Sequence, residues 1–323
     1  MNRNASARST GRKTGKSLLF VLSTLLIGVG LVAYADRQWI AESLGEPVNT
    51  VSNETQVALT HSGRSLYIVT NRPGGVGAND IWVSHRAHPN GRWEQPFNLG
   101  SLINGTGNDS SPSFTPDDLC MFYASPGASG GGGQRIFVTC RTDPDDDAGW
   151  QTPVRLGANV NGAQFTSDPF YFVDPVSGQA SLYFASLNRP GAPGDFDLFK
   201  SDLGADGQFL PAVPVTELNT PFRETHPWIH QNGLILVFSS TQPGGFGGID
   251  LWVSTRGSTA DPWGPPCNLG ENVNSASDDR APALSQFGDS LYFASNRPGD
   301  FGGDDLYVFR PLMPTIAQLC GGR

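Results

Sequence analysis

The chain has 323 residues, 38% apolar and 16% charged, which is enough apolar sequence for the core of one large all-β domain. Its 40 glycines and 25 prolines fall at regular intervals between apolar runs, so they mark turns and exclude a disordered chain. The formal net charge of −9 argues against a nucleic-acid partner.

Residues 1–35 differ from the rest of the chain. Five basic residues precede an apolar stretch over 17–32, and Ala33-Tyr34-Ala35 follows it. This order is typical of a signal peptide cleaved after Ala35. The alternative is an uncleaved membrane anchor, for which the stretch is short. Cleavage removes five of the 21 basic residues and leaves 16 against 30 acidic ones, a net charge of −14. We therefore expect an exported protein, periplasmic or extracellular, that touches a membrane only through a retained anchor.

Nearly the same phrase returns five times, at intervals of about 55 to 58 residues. The first copy, 66–75, reads LYIVTNRPGG and the last, 291–299, reads LYFASNRPG; the others begin at Met121, Leu182 and Leu236. A Gly-rich turn and a second apolar run follow each copy. This period of short β-runs predicts an all-β, five-bladed β-propeller of four-stranded blades.

The fifth repeat ends at Arg310 without a fourth strand. The segment 39–49 matches the missing piece, because it carries the Trp, Leu-Gly and Asn that recur near the fourth strand and connector of other repeats. We expect this N-terminal strand to complete the fifth blade and close the ring. The propeller then spans 36–310, and 311–323 form a C-terminal tail. The recurring residues are Trp93, Trp150 and Trp263 in the outermost strands and Asn104, Asn161, Asn219 and Asn274 in the connectors.

Four cysteines in an exported chain indicate disulfides. Cys120 opens the second strand of its repeat and Cys140 closes the next strand, so a hairpin places them side by side. A bridge between the other two, Cys267 and Cys320, would fix the C-terminal tail to the fourth repeat. The alternative is four free thiols. No C-x-x-C spacing indicates a zinc or redox site.

The most regular charges are arginines in the Asn-Arg-Pro phrase, each followed eight residues later by an aspartate that opens the third strand. Internal copies that change together indicate contact, so we expect structural ion pairs across the base of each hairpin. The expected pairs are Arg72–Asp80, Arg189–Asp197 and Arg297–Asp305, with Asp250 facing Gln242 in the fourth repeat.

A second series of acids stands five residues after each connector Asn. Equivalent positions on five inner strands converge on the propeller axis, so these carboxylates are expected to ring one mouth of the channel. They would hold a ligand or a cation such as Ca²⁺, or each would cap its own turn. His226 and Arg280 lie nearby as further ligand-binding candidates. The series is Glu54, Asp109, Glu224 and Asp279, with Asp168 close to Thr166 in the third repeat.

His226 and His230 lie on either side of Trp228, at positions that share one face of a regular strand. A third metal ligand is not evident beside them, so we expect this pair to serve packing and not metal binding.

The repeated phrase resembles the WD40-like repeat of the PD40 type, found in TolB-like periplasmic propellers and in envelope proteins that also carry peptidoglycan-binding domains. The matching residues are 291–299, the copies at 66–74 and 182–191, and the Asp that opens the next strand; the resemblance covers 39–310. TolB-like propellers have six blades and an extra domain, so a Tol-system role is not implied. The resemblance implies the propeller fold and is weak for function, because propellers host binding and catalysis alike. The expected partner is an envelope protein or a glycan.

Three functions follow from these observations. The first is a monomeric, non-catalytic binding or scaffold module of the bacterial cell envelope, because no catalytic motif is evident. The second is a carbohydrate-active enzyme, since five-bladed propellers include glycoside hydrolases with carboxylates around the axis. Its catalytic residues would be two of Glu54, Asp109, Asp168, Glu224 and Asp279. The third is a structural propeller stabilised by Ca²⁺.

Overall fold

A computed structural model describes residues 40–127 and 133–310, together with residue 316. These residues form 20 strands, arranged as five antiparallel sheets of four strands each. The predicted five-bladed propeller is therefore confirmed. Nowhere in these ranges is there a helix with the length and hydropathy needed to cross a membrane. The expected signal peptide and C-terminal tail lie outside the described residues, apart from residue 316, and remain predictions.

Strand β1 is the outermost strand of the fifth blade. From β2 onward the strands follow one another in the repeating order inner, second, third and outermost. Their bounds are β1 Glu42–Ser43, β2 Glu54–Leu59, β3 Ser65–Thr70, β4 Asp80–His85, β5 Phe97–Asn98, β6 Ser110–Phe114, β7 Cys120–Ser125, β8 Arg135–Cys140, β9 Val154–Arg155, β10 Thr166–Val173, β11 Ala180–Leu187, β12 Phe196–Asp202, β13 Val213–Pro214, β14 Glu224–Ile229, β15 Ile235–Ser240, β16 Asp250–Thr255, β17 Cys267–Asn268, β18 Asp279–Leu284, β19 Leu291–Ser295 and β20 Asp305–Phe309.

The N-terminal strand closes the ring as predicted. The fifth sheet has the order β1-β20-β19-β18, and Glu42 and Ser43 pair with Val308 and Tyr307. The backbone N–H of Leu44 continues this pairing by donating to the Leu306 carbonyl at 2.9 Å. Strands from the two ends of the sequence thus share one sheet, and the fifth blade has no missing strand. Trp39 of the predicted closing segment lies outside the described residues.

The outermost strands are shorter than predicted, with two residues in each blade. A proline directly precedes the strand in three blades, and it has no N–H to donate to the ladder. The repeated tryptophans therefore lie in the loop before the strand and not within it. There each packs under an arginine guanidinium, at 4.0 to 4.3 Å from the carbon to the ring centroid. The prolines are Pro96, Pro153 and Pro266, and the pairs are Arg86–Trp93, Arg141–Trp150 and Arg256–Trp263.

Each connector asparagine joins its connector to the preceding blade. The Asn104 side chain accepts from the Ile81 N–H at 2.9 Å and donates to the Ile81 carbonyl at 3.0 Å. These two bonds satisfy a backbone donor and acceptor that would otherwise be buried without partners. The same two-bond latch recurs in every blade: Asn49–Leu306, Asn104–Ile81, Asn161–Ile136, Asn219–Leu198 and Asn274–Leu251.

The disulfide between Cys120 and Cys140 is present, as the hairpin register predicted. It is consistent with export to an oxidising compartment. Cys267 bonds to no other cysteine in the described part of the chain. Its expected partner, Cys320, lies outside that part, so the second bridge stays a prediction.

The core fills the spaces between blades, and one side chain fills the axis. Trp228, on β14, packs against three of the four apolar clusters, which are built from different blades. Its ring centroid lies 4.6 Å from that of Phe170 on β10. Trp228 therefore divides the axis into a first mouth, where the five inner strands begin, and a second mouth, where they end.

Candidate active site at the first mouth of the axis

The inner strands are irregular just after they begin. Each has a shift in register with its neighbour two or three residues into the strand. In four blades the residue at the shift is followed by proline and has a positive φ of 52° to 55°, which is uncommon outside glycine. These residues are Ser111, Asp168, His226 and Ala281.

The bulges bring four polar side chains together, and we call this group the axial cluster: Gln56, Ser111, Asp168 and His226. The Ser111 hydroxyl donates to Asp168 Oδ1 at 2.7 Å. The same carboxylate oxygen lies 3.3 Å from His226 Nε2. The Gln56 carbonyl accepts from the Ser111 backbone N–H at 2.6 Å. All four residues line one shallow, open depression of about 30 Å³, which is enough room for a water molecule.

The hydrogen bonds define how the imidazole is protonated. A backbone N–H can only donate, so the Ser111 amide orients Gln56 with its oxygen toward Ser111 and its NH₂ toward His226. The Gln56 NH₂ lies 2.9 Å from His226 Nε2, which must therefore accept and be unprotonated. Burial lowers the pKa of His226, Asp168 raises it in part, and Arg280 lowers it further. The neutral imidazole is thus a base, next to a carboxylate that would stabilise the protonated form.

Arg280 lies close enough to His226 to lower its pKa, and its role as a ligand-binding residue stays a prediction. Its guanidinium is held by Asp304 at 2.6 Å and lies 3.7 Å from Asp278. It retains 21% of its side-chain exposure, and His226 retains 18%. Both side chains therefore remain partly accessible to solvent.

Four of the five predicted ring acids do not face the axis. Glu54, Asp109, Glu224 and Asp279 are fully buried, and each accepts a backbone N–H from the turn before it. Glu224, for example, accepts from the Thr220 N–H at 2.9 Å and from the Ser240 hydroxyl at 3.0 Å. Each carboxylate therefore caps its own turn, the structural alternative noted from the sequence. The prediction that these four acids bind a ligand or act in catalysis is therefore wrong, and of the five only Asp168 belongs to the axial cluster.

Burial raises the pKa of several acids that cap turns. Desolvation raises the pKa of Glu54 and of Glu224, and hydrogen bonds from Thr50 and Thr220 offset part of the shift. Asp109 has fewer partners, because Gly127 stands where other blades have Arg72 or Arg297, and burial raises its pKa to about 6. Its Oδ1 has no hydrogen-bond partner among the described residues.

The expected arginine–aspartate pairs are also wrong. Arg72 binds Glu54 at 3.0 Å, and Arg297 binds Asp279, so these arginines neutralise capping acids and not the aspartates that open the third strands. Arg189 has Thr166 in place of such an acid and donates to the carbonyls of Val160 and Asn159. The strand-opening aspartates instead accept N–H groups of the Gly-rich turn before them, as in Asp80, Asp197, Asp250 and Asp305. They remain structural, with different partners.

The described residues contain no group of three or more His, Cys, Asp or Glu side chains placed to hold a metal ion. The Ca²⁺ site expected on the axis required the ring carboxylates to converge. Four of these carboxylates do not converge, because each lies in the turn of its own blade.

The two histidines beside Trp228 lie at opposite mouths of the axis. A regular strand would place His226 and His230 on one face, but the shift in register between Thr225 and Trp228 breaks this alternation. His226 lines the depression at the first mouth, and His230 lines a cavity at the second. Gln56 and Ser111 were not predicted from the sequence as members of a site. The residue before each inner-strand proline was the signal that could have revealed Ser111.

Solved structures share the fold of this chain, although no protein-family model and no curated protein matches it. A thermostable family-43 glycoside hydrolase is 15% identical, with a TM-score of 0.59 over 82% of this chain and 92% of that one. An alpha-L-arabinofuranosidase from Lactobacillus brevis is 14% identical, with a TM-score of 0.57 over 84% and 92%. A GH43 enzyme from Xanthomonas citri complexed with xylotriose is 16% identical, with a TM-score of 0.57 over 87% and 92%. At these identities the likeness shows the fold alone.

These comparisons correct the functional expectation. The solved structures named above are carbohydrate-active enzymes, whereas the absence of a catalytic motif and the TolB-like resemblance led to the expectation of a non-catalytic binding or scaffold module. We therefore take the scaffold expectation as wrong and carry the enzyme alternative forward as a proposal. The reason is that the repeated phrase builds the second and third strands of each blade, while the axial residues differ from blade to blade. The resemblance of the repeat itself stays a prediction.

Proposed function

We propose that this chain is a carbohydrate-active enzyme that hydrolyses a glycosidic bond at the axial cluster. The observation that carries the proposal is the contact of Asp168 with His226 in a depression open to solvent. A fold shared with arabinofuranosidases and other family-43 enzymes supports a glycan as the substrate class. The shallow depression suits a glycan lying across the first mouth, with one water beneath it.

In the proposed reaction, neutral His226 is the general base. A water replaces the Gln56 amide as hydrogen-bond donor to Nε2 and gives its proton to that atom as its oxygen attacks the anomeric carbon. The bond from the anomeric carbon to the leaving oxygen breaks, and the leaving oxygen takes its proton from solvent. Asp168, 3.3 Å away, stabilises the imidazolium until it releases the proton.

The cluster differs from the usual pair of glycosidase carboxylates, because its described members include one carboxylate and one imidazole. A second acid to protonate the leaving group is not among them. Glycosides whose leaving group departs without protonation are therefore the substrates to test first. We expect dinitrophenyl and para-nitrophenyl arabinosides, xylosides, glucosides or galactosides to be cleaved faster than unactivated oligosaccharides of the same sugar.

Three variants test the assignment. His226→Gln should lower kcat/KM by about a hundredfold or more, the usual contribution of a general base, and Asp168→Asn should lower kcat. Glu224→Gln is the matched control, since Glu224 caps a buried turn and should affect stability but not turnover. If wild-type protein cleaves no glycoside of the panel, or if Glu224→Gln alone abolishes cleavage while the fold is retained, the proposal is wrong.

We also propose that the mature chain works as a monomer outside the cytoplasm, in the periplasm or beyond the cell. The disulfide and the signal-like residues 1–35 support this location. The acidic charge supports glycan partners over nucleic acid.

A further inference from the structure

The second mouth of the axis contains a cavity that the proposed reaction does not use. It has a volume of about 280 Å³ and is formed where inner strands from all five blades end. Trp228 lies between it and the axial cluster, because this side chain lines both. Ligand pockets in proteins begin at about 300 Å³, so the cavity has room for one ring and not for a chain.

The walls of the cavity are apolar and aromatic. Phe114, Phe170, Phe172 and Ile229 are all more than nine-tenths buried, and Trp228 packs beside Phe170. The flat faces of these rings suit a flat apolar surface on a ligand.

The polar residues of the cavity are all uncharged or imidazole. They are Thr60, His61, Tyr171, His230, Gln231, Ser285 and Gln286. Among the described residues that line the cavity, none is Asp, Glu, Lys or Arg. A charged ligand would find no counter-ion there, so the cavity selects an uncharged one.

The two histidines offer opposite hydrogen-bonding atoms. His230 Nδ1 accepts from the Asn232 N–H at 3.3 Å, so the proton of this neutral ring is on Nε2. His230 is 92% buried, and Nε2 has no hydrogen-bond partner among the described residues. An N–H left in this state costs stability, which an acceptor oxygen on a ligand would recover.

His61 supplies the complementary atom. Its Nδ1 lies 3.3 Å from the carboxylate of Asp118, a buried acid that also accepts the His61 backbone N–H at 2.8 Å. This carboxylate accepts the Nδ1 proton, which leaves Nε2 of a neutral His61 as an acceptor. A donor and an acceptor that line the same cavity match hydroxyl groups, which both accept and donate.

We propose that this cavity is a second ligand site, which binds one uncharged, hydroxylated ring, namely a neutral sugar at the end of a glycan. Aromatic rings contact the apolar face of the sugar, while His230 and His61 bind its hydroxyls. The site is separate from the axial cluster and does not depend on catalysis there.

The test uses the mature protein and free monosaccharides, which have no glycosidic bond to cleave, so no ligand is consumed. Binding of arabinose, xylose, glucose and galactose is followed by the imidazole NMR signals of His230 and His61 and by tryptophan fluorescence. Glucuronate tests the exclusion of charge, and phenol tests whether an aromatic ring with one hydroxyl suffices. We expect at least one neutral sugar to shift the His230 and His61 signals, and glucuronate to leave them unchanged.

Three substitutions locate the binding. His230→Phe and His61→Phe keep an aromatic ring but remove the polar nitrogens, and each should weaken sugar binding about tenfold. His88→Phe is the matched control, because His88 is exposed on a loop outside the cavity and its loss should change nothing. His61 is one-third exposed, so His61→Phe keeps the test valid even if His230→Phe does not fold.

Several results would overturn the inference: no neutral sugar binds, phenol binds while sugars do not, or sugar binding survives both His230→Phe and His61→Phe. Failure of glycoside hydrolysis in the wild-type protein is a different result. It would remove the proposed function and leave this site unaffected, because the binding assay requires no turnover.

Discussion

At the scale of single residues, backbone conformation decides which side chains meet. Ser111, Asp168 and His226 each hold a left-handed conformation that costs roughly 1–3 kcal/mol outside glycine. The following proline lacks an N–H, so the ladder cannot continue regularly there. The resulting bulge turns three different side chains toward one point on the axis, where their chemistry can combine.

Asp109 shows how a missing partner changes the state of a buried acid. Arg72 and Arg297 neutralise the equivalent acids in two other blades, whereas Asp109 has no such arginine. Its pKa of about 6 lies above the ordinary value of 3.8. Between these values the folded protein holds a proton that the unfolded chain lacks, so protonation favours folding there. This stabilisation is lost as the pH rises through about 6.

Asp109→Asn should therefore stabilise the protein at pH 8 and have little effect near pH 4. Asparagine is uncharged at both, and its side-chain oxygen can still accept the Gly105 N–H that Asp109 accepts at 2.7 Å. About 1.4 kcal/mol per pKa unit gives a gain of up to about 3 kcal/mol. Urea unfolding at the two pH values measures it.

Asp279→Asn provides the control for this prediction. That carboxylate binds Ser275 and Arg297, so its neutralisation leaves an arginine without its partner and should lower the free energy of unfolding. If Asp109→Asn lowers stability at pH 8 as much as Asp279→Asn does, Asp109 is ionised and well bound in the folded protein.

At the scale of the strand and hairpin, the Gly-rich turn explains why the ion pairs were mispredicted. Asp80 accepts the backbone N–H groups of Val76 and Gly77, which lie in the turn that leads into its own strand. The arginine of the same hairpin reaches the neighbouring connector instead, where Arg72 donates to the Val48 carbonyl at 2.6 Å. The arginine and the aspartate recur together because both belong to the same hairpin, one binding the connector and the other the turn, although they do not contact each other.

The hairpin of β7 and β8 carries the disulfide. Cys120 and Cys140 are 20 residues apart, and a cross-link of this length typically contributes about 3 kcal/mol by restricting the unfolded chain. The double variant Cys120→Ser with Cys140→Ser should lose about this much in urea unfolding. Reduced wild-type protein should lose a similar amount if Cys267 is a free thiol, and more if Cys267 forms the second bridge.

Cys267→Ser separates the two predicted bridges. If Cys267 is a free thiol, this change should be nearly neutral; if it pairs with Cys320, the loss should be comparable to that of the first bridge. Equal unfolding midpoints for oxidised and reduced wild-type protein would contradict a stabilising role for either.

At the scale of the whole molecule, ring closure depends on non-covalent contacts between β1 and β20. In the other blades a continuous hairpin joins the outermost strand to the third strand. In the fifth blade, the two residue pairs between β1 and β20, the Leu44–Leu306 bond and the latch of Asn49 take the place of this hairpin. The same latch should therefore matter more at this junction than at any other.

Asn49→Ala should lower the free energy of unfolding by more than Asn161→Ala does. Both changes remove two buried hydrogen bonds to a third strand, at about 2 kcal/mol or more, but only the first also loosens the closure. Thermal and urea unfolding of the two variants side by side would measure the difference. Equal losses would mean that the β1–β20 pairing holds the ring without Asn49.

Sequence patterns alone predicted the propeller, the number of blades, the closing strand and the first disulfide. These features depend on local period, on hairpin register and on residues such as Cys120 and Cys140 that repeat counting places side by side. Trp39 and the cleavage at Ala35 remain predictions from the same patterns.

The side chains on the axis, in contrast, could be identified only from the folded protein. Regular alternation would place the acid at the start of each inner strand on the axis, as expected for Glu54 and Glu224. The bulge after the acid changes which side chain faces the axis. The acid turns into its own connector, where backbone N–H groups need acceptors. The residue before proline faces the channel instead. Contacts such as Asp168 with His226 join blades 58 residues apart along the chain. The period of the repeat cannot predict them, because the residues at those positions differ in every copy.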